Sequence, residues 1–279
     1  RQMCIRDSYR TLRRSNRKHA AHRHARRKRR LRRPRDTYSD RRTAPLRHDR
    51  EMDAMNKIIY EDNHLLVAVK PAGIPVQADS SGDDDFLSQL KRYIGKKYNK
   101  PGAVYLGLLH RLDRPASGVM VFARTSKAAS RLTSQFKKGS IGKYYLAVVE
   151  GIPPESGKLR DFLLKDHERN IVRTCGSGTP NAKEAILEYR RLAVCGGRSL
   201  VRIKLGTGRS HQIRVQFSSR GFPLVGDRKY GKSSAGDLAL FSHRLELTHP
   251  TTKEQMAFYA LPEGGAFAQF DLNGFSDII

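Results

Sequence analysis

Acidic residues are scarce in this 279-residue chain: 27 Asp and Glu stand against 54 Lys and Arg, a net charge of +27. An excess of that size favours polyanions, and nucleic acid is the commonest large one. Cysteine is nearly missing. Cys4, Cys175 and Cys195 are far apart and form no CxxC pair, which leaves no zinc site and suits a reducing cytoplasm. Long apolar runs are missing too, none exceeding the six residues of YYLAVV at 144–149, far short of a bilayer span. The basic N-terminus is not followed by the apolar stretch of a secretory signal. A cytoplasmic protein with no membrane contact is the expectation.

The charge is unevenly spread. Residues 1–50 hold 20 Lys and Arg and 4 acids, and include RKRRLRRPR at 27–35. With almost no apolar periodicity they cannot bury enough surface to offset chain entropy. They are expected to be a disordered basic arm, or a non-native extension, ahead of Met52 and Met55. Residues 51–279 remain basic and have the apolar content for one catalytic domain.

From Met55 onward the pattern turns regular. Ile58 to Tyr60 and Leu65 to Val69 read as strands parted by a turn at Asp62 and Asn63. Phe86, Leu87, Leu90 and Ile94 share a helical face, with Asp residues ahead of them. GVMVFAR at 118–124 reads as a buried strand, followed by a helix opened by Ser126 and closed by Gly139. Five further strands follow: KYYLAVVEG, AKEAILEYRRLAV, SLVRIKLG, ALFSHRLELTH and EQMAFYAL. Strands outnumber helices without alternating regularly with them. That predicts an α+β fold with a largely antiparallel mixed sheet and flanking helices.

GDRKYGKSS at 226–234 satisfies the pattern of a phosphate-binding P-loop, with Gly226, Gly231, Lys232 and Ser233 in the key places. Its context argues against that role. The four residues before it, FPLV, include Pro223, a poor occupant of a central parallel strand, and Gly236 falls where the following helix should form.

Two other stretches can carry chemistry. In LLHRLDRPASGVMVF, Asp113 lies between Arg111 and Arg114 on an irregular segment at the mouth of a strand. Neighbouring cations keep such a carboxylate ionised and nucleophilic, although a surface ion pair capping a turn fits the local pattern as well. In GTGRSHQIRVQFSSRG, two glycines lead through Arg209, Ser210, His211, Gln212 and Arg214 into a short helix. An arginine here grips phosphate or pairs with a buried carboxylate. His211 has no HxxxH partner and suits a structural hydrogen bond better than acid–base work. The HxE and PCxxC of a zinc deaminase are absent.

Taken in order, KPAGIPV, HRLDRPASG, GKYYLAVVEG, GTGRSHQIRV, FPLVGDRKYG and LFSHRLELTHP resemble the motifs of the RluA-type RNA pseudouridine synthases over about residues 55–262. The resemblance implies the fold of that family and isomerisation of uridine to pseudouridine in structured RNA, ribosomal or transfer. It implies Asp113 as essential catalyst, Tyr145 beneath the base, and Arg209 as partner of the catalytic carboxylate. Arg111 resembles the residue that enters the RNA helix where the uridine has flipped out; Arg114, His211, Gln212 and Arg214 are further candidate RNA contacts. Since no redox or hydrolytic step occurs, neither metal nor cofactor is expected, and a monomer is the default. Ala116 departs from the family's usual Thr or Val. GDxxYG is a recurring turn in that family, so Lys232 and Ser233 complete the P-loop pattern by accident. The rival from another class is a catalytically silent RNA-binding protein on the same fold, which would need none of Asp113, Tyr145 and Arg209.

Overall fold

The computed structural model describes residues 57–231 and 236–275. The basic arm expected over residues 1–50 lies outside them, as do Lys232 and Ser233. Strands β1 (Lys57–Glu61) and β2 (Leu65–Lys70) form a hairpin whose turn is fixed by Asp62, its Oδ1 accepting the N–H groups of His64 at 2.7 Å and Leu65 at 2.6 Å. Helix α1 (Phe86–Lys97) is capped by Asp85, whose side chain accepts from Ser88 N–H, and buries Phe86, Leu90 and Ile94. After a two-residue strand β3 (Gly107–Leu108) comes β4 (Ser117–Ala123), then α2 (Ser126–Lys138). The cap of α2 is Thr125 rather than Ser126, and Gly139 ends it in the left-handed conformation that glycine adopts without penalty.

The remainder is mostly sheet: β5 (Gly142–Glu150), β6 (Ser156–Asp166), β7 (Ile171–Cys175), β8 (Lys183–Cys195) and β9 (Arg198–Leu205). The short helix α3 (Gln212–Ser218) precedes β10 (Leu240–Thr248) and β11 (Gln255–Tyr259). Among the described residues one sheet joins the eleven strands in the order β1-β2-β4-β10-β5-β9-β8-β6-β7, with β11 on β10 and β3 on β4. Every pairing is antiparallel except β4 with β10. The expected largely antiparallel α+β architecture is what the chain adopts.

The parallel pairing is tight. Phe241 lies beside Ser117 and Ser242 beside Gly118. Gly118 has φ 123, and a Cβ there would stand 2.3 Å from the Ser242 carbonyl oxygen, so only glycine fits. An apolar cluster built from β2, β4, β5, β8 and β9 packs under α1 and α3, holding Phe122, Ala147, Leu187, Val201, Ile203 and Phe217. It supplies the rigid floor on which the loops at one end of the sheet stand.

The segment before Gly226 is no central strand: Leu224 makes a single antiparallel bridge to Val149, and Gly231 N–H closes a turn on the Asp227 carbonyl at 2.8 Å. The strand a P-loop requires is therefore not built there. Among the described residues no helix is long and apolar enough to cross a membrane.

Candidate active site

Asp113 lies in the loop between β3 and β4, anchored on both sides by side chains sunk into the core, Leu112 and Ala116. Ala116, where the family more often has Thr or Val, packs into that apolar cluster, so the departure alters volume and leaves the loop in place. A second fastening comes from the end of β2. Lys70 is fully buried, and its ammonium donates to the carbonyls of Pro71 at 2.7 Å, Arg114 at 3.1 Å and Ala116 at 2.9 Å. These bonds hold the KPAG segment and the Asp113 loop as one piece. Burial pushes the Lys70 amine down to about 7, opposed by the charge of Asp113 and reinforced by that of Arg114.

The partner of Asp113 is Arg214. Its Nη1 donates to Asp113 Oδ2 at 3.0 Å, while Nε and Nη2 grip Asp227 Oδ2 and Oδ1 at 2.8 and 2.7 Å. One planar fork thus serves two carboxylates, a geometry an ammonium cannot reproduce. The Asp227 side chain is wholly buried and that of Asp113 is 23% exposed, so one carboxylate is structural and the other faces the cleft. Burial works against the Arg214 charge, but the Asp227 hydrogen bonds and the two carboxylates outweigh it and fix the cation. Burial likewise disfavours ionised Asp227, yet Arg214 and the backbone N–H groups of Tyr230 and Lys229 hold its carboxyl below the usual range.

The pairing expected for Arg209 is therefore made by Arg214, two positions after Gln212. Arg209 sits on the loop before α3, where its Nε donates to the Glu184 carbonyl at 2.9 Å, and it lines the cleft without bonding to Asp113. Gln212 is no surface contact either. It is 3% exposed; its Oε1 accepts from Thr207 Oγ1 and Arg209 N–H, and its Nε2 donates to the Ile186 carbonyl. It shapes the Gly206 to Arg209 loop from within. His211 adopts the left-handed conformation at φ 52 and lies 2.6 Å from the Tyr230 hydroxyl through Nδ1. That hydroxyl also accepts from Val172 N–H at 2.8 Å, so Tyr230 ties the loop ahead of α3 to β7. Burial lowers the His211 pKa despite the opposing charge of Asp113, consistent with the neutral ring. Arg114 turns to the 73–83 loop, bonding the Gly73 carbonyl, Ser81 and Asp83.

Tyr145 completes the site from β5. It is buried in the wall of the cleft, and burial and then the charge of Asp113 push its phenol pKa up, against a smaller effect of Ser242. The phenol is therefore a neutral ring in the wall of the cleft that Asp113 faces. The cleft encloses about 1490 Å³, and Arg111, Lys143, Arg209, Arg228 and Lys229 line it. An exposed Arg111 at its edge and a carboxylate held within suit a substrate that is anionic along its backbone and neutral at its reacting group.

Asp227, Lys70 and Tyr230 were not singled out as site residues by the sequence pattern. The signal was present: GDRKYG sets an acid and a tyrosine three positions apart, and KPAG ends a continuous apolar strand on a lysine.

The family model for RNA pseudouridylate synthase matches residues 64–219. The ribosomal large subunit pseudouridine synthase D of Zymomonas mobilis is 33% identical over 229 residues, covering 76% of this chain and 71% of that protein. Its Pseudomonas aeruginosa counterpart is 35% identical over 227 residues, covering 74% and 68%. Among solved structures, human RNA pseudouridylate synthase domain containing 1 superposes with a TM-score of 0.61 at 26% identity, covering 77% of this chain and 86% of that one. With more than half its length matched by the family model and its motifs folded around one cleft, the chain belongs to the RNA pseudouridylate synthase family, in its RluA-type branch.

Proposed function

We propose that this synthase converts uridine to pseudouridine in ribosomal RNA, with Asp113 as the catalytic group acting on a nucleotide swung out of its stack. The relatives just described bear names that specify the large ribosomal subunit, which favours ribosomal over transfer RNA. The reaction breaks the bond from C1′ to N1, forms one from C1′ to C5, and moves a proton from C5 to solvent while N1 gains one. Nothing is oxidised or hydrolysed.

The observation that carries the reading is the Asp113 carboxylate, held by Arg214 at 3.0 Å and facing a cleft walled by Tyr145. A stacked base hides its glycosidic carbon, so extrusion comes first, and Arg111 at the cleft edge is placed to fill the gap left behind. The Tyr145 ring offers stacking worth roughly 1 to 3 kcal/mol to the extruded base. If Asp113 bonds covalently to the substrate its negative charge is spent, which removes one of the two causes that raise the Tyr145 pKa. The phenol is then a better participant in proton transfer at C5 than in the free enzyme.

The test is tritium release from 5-³H-uridine-labelled large-subunit ribosomal RNA by the wild type and by Asp113→Asn. Release is expected from the wild type and none from the variant, with RNA affinity unchanged. Equal release from both would remove Asp113 from the mechanism, and no release from either would leave a binding protein.

A further inference from the structure

Tyr144 and Tyr145 are neighbours on β5, so their side chains lie on opposite faces of the sheet. Tyr145 belongs to the cleft. Tyr144 occupies a different setting, opposite Lys204 on β9 and Arg244 on β10, with Arg202 one diagonal step away. All three cations gather on its ring, at 4.8 Å for Arg202, 5.8 Å for Arg244 and 5.9 Å for Lys204. Beyond Arg202 on β8 stands the exposed Arg190, and beyond Arg244 on β11 stands Tyr259, 71% exposed.

Acids do not balance this array. Glu246 accepts from the Tyr144 hydroxyl at 3.0 Å and pairs with Arg244 at 2.8 Å, while Glu188, opposite Lys204, is taken by Lys158 at 3.1 Å. With Arg244 and Glu246 set aside as a pair, Arg190, Arg202 and Lys204 are three positive charges for which no carboxylate among the described residues is within ion-pairing distance. Among the described residues no carboxylate lies within ion-pairing distance of Arg202, and its Nε has no hydrogen-bond partner. Both ring nitrogens of the buried His243, which packs edge-on against Tyr144, are also without one. Burial, and after it the charges of Arg244 and Arg190, lower the Arg202 pKa against the opposing effects of Tyr144 and Glu246.

We propose that this face, from Tyr259 across Tyr144 to Arg190, is a second RNA-binding surface that grips single-stranded RNA flanking the nucleotide held in the cleft. The proposal rests on the reading of the chain as an RNA-modifying enzyme. Five adjacent strands, β11, β10, β5, β9 and β8, carry the array, and four inter-strand spacings make it about 19 Å long. Cations interleaved with aromatic rings match the alternating phosphates and bases of a single strand, with stacking on the exposed Tyr259 and phosphate contacts from the arginines and Lys204.

The test uses the full chain in two ways. A 5-iodouridine-substituted oligouridylate, irradiated with wild-type protein, is expected to attach to Tyr259 or Tyr144 as well as to the cleft. The double variant Arg190→Glu, Lys204→Glu is then titrated with the same oligonucleotide at several salt concentrations. Loss of two phosphate contacts is expected to lower the salt slope by about 1.4 and affinity at least tenfold, with turnover at saturating ribosomal RNA unchanged. Adducts confined to the cleft, or an unchanged slope, overturn the proposal. Phosphatidylserine vesicles form a third arm: vesicle binding lost in the double variant with RNA binding intact would assign the face to a lipid surface and overturn it as well. Asp113→Asn separates the two readings, since it abolishes turnover without altering the salt slope.

Discussion

Arg214 joins the buried Asp227 to the Asp113 carboxylate proposed as the catalytic group, and replacing it tests that link. In Arg214→Gln the buried Asp227 loses two charge-assisted bonds and keeps only the N–H groups of Lys229 and Tyr230. Breaking a buried pair from one side costs about 3 to 5 kcal/mol. At roughly 2 to 4 °C per kcal/mol for a domain of this size, the melting temperature should fall by about 6 to 20 °C. The single bond to Asp113 is worth about 1.5 to 3 kcal/mol, a rate loss of about 10- to 150-fold when expressed in the transition state. Arg214→Lys divides the two effects: one ammonium replaces the fork, stays with the deeper Asp227, and releases Asp113. Thermal melting and single-turnover tritium release should therefore show a smaller stability loss than in Arg214→Gln with a similar rate loss. Full activity in Arg214→Lys would refute the reasoning. So would an equal rate loss in Arg209→Lys, which would return the pairing to the residue suggested by the motif.

Tyr145→Phe should keep RNA affinity, because the ring face survives, and lose turnover, because the hydroxyl does not; full turnover would confine Tyr145 to stacking. Gly118→Ala should prevent folding, since its Cβ would meet the Ser242 backbone at 2.3 Å, and soluble expression with a near-native melting temperature would contradict the β4–β10 packing. Acid should destabilise the fold: burial, then neighbouring cations, lowers the pKa of His110 to about 4 and of His243 to about 3. As pH falls below about 6.5 the unfolded chain takes up these protons while the native state does not, so stability is lost from there downward. Urea midpoints at pH 7 and pH 5 measure this, and His110→Gln should show a shallower loss.

Much of the fold could be read because periodicity and punctuation agreed. The turn at Asp62, the cap ahead of α1 and Gly139 at the end of α2 each coincide with a change in apolar pattern. Strands β6 and β7 were harder to see. In SGKLRDFLLKD only Leu159 and Leu163 are buried, and the other positions mix charges with the half-buried Phe162 and Leu164, a pattern a helix or loop would also show. At the site, Asp113 and Tyr145 could be placed by motif, whereas the choice of Arg214 over Arg209 could not. Both arginines occupy the same motif, and which one reaches Asp113 depends on the left-handed turn at His211 and on where Asp227 emerges from a segment thirteen residues further on. That is tertiary information.

The side-by-side alignment of β4 with β10 joins Gly118 to Ser242 across more than a hundred residues of intervening chain. A ribosome making this protein releases the Asp113 segment long before either the guanidinium that orients it or the strand that braces it exists. Contacts so distant in sequence form slowly and late. The nascent polypeptide is thus a basic chain whose Asp113 carboxylate is still unpaired, and the cleft that holds it is complete only with its closing strands.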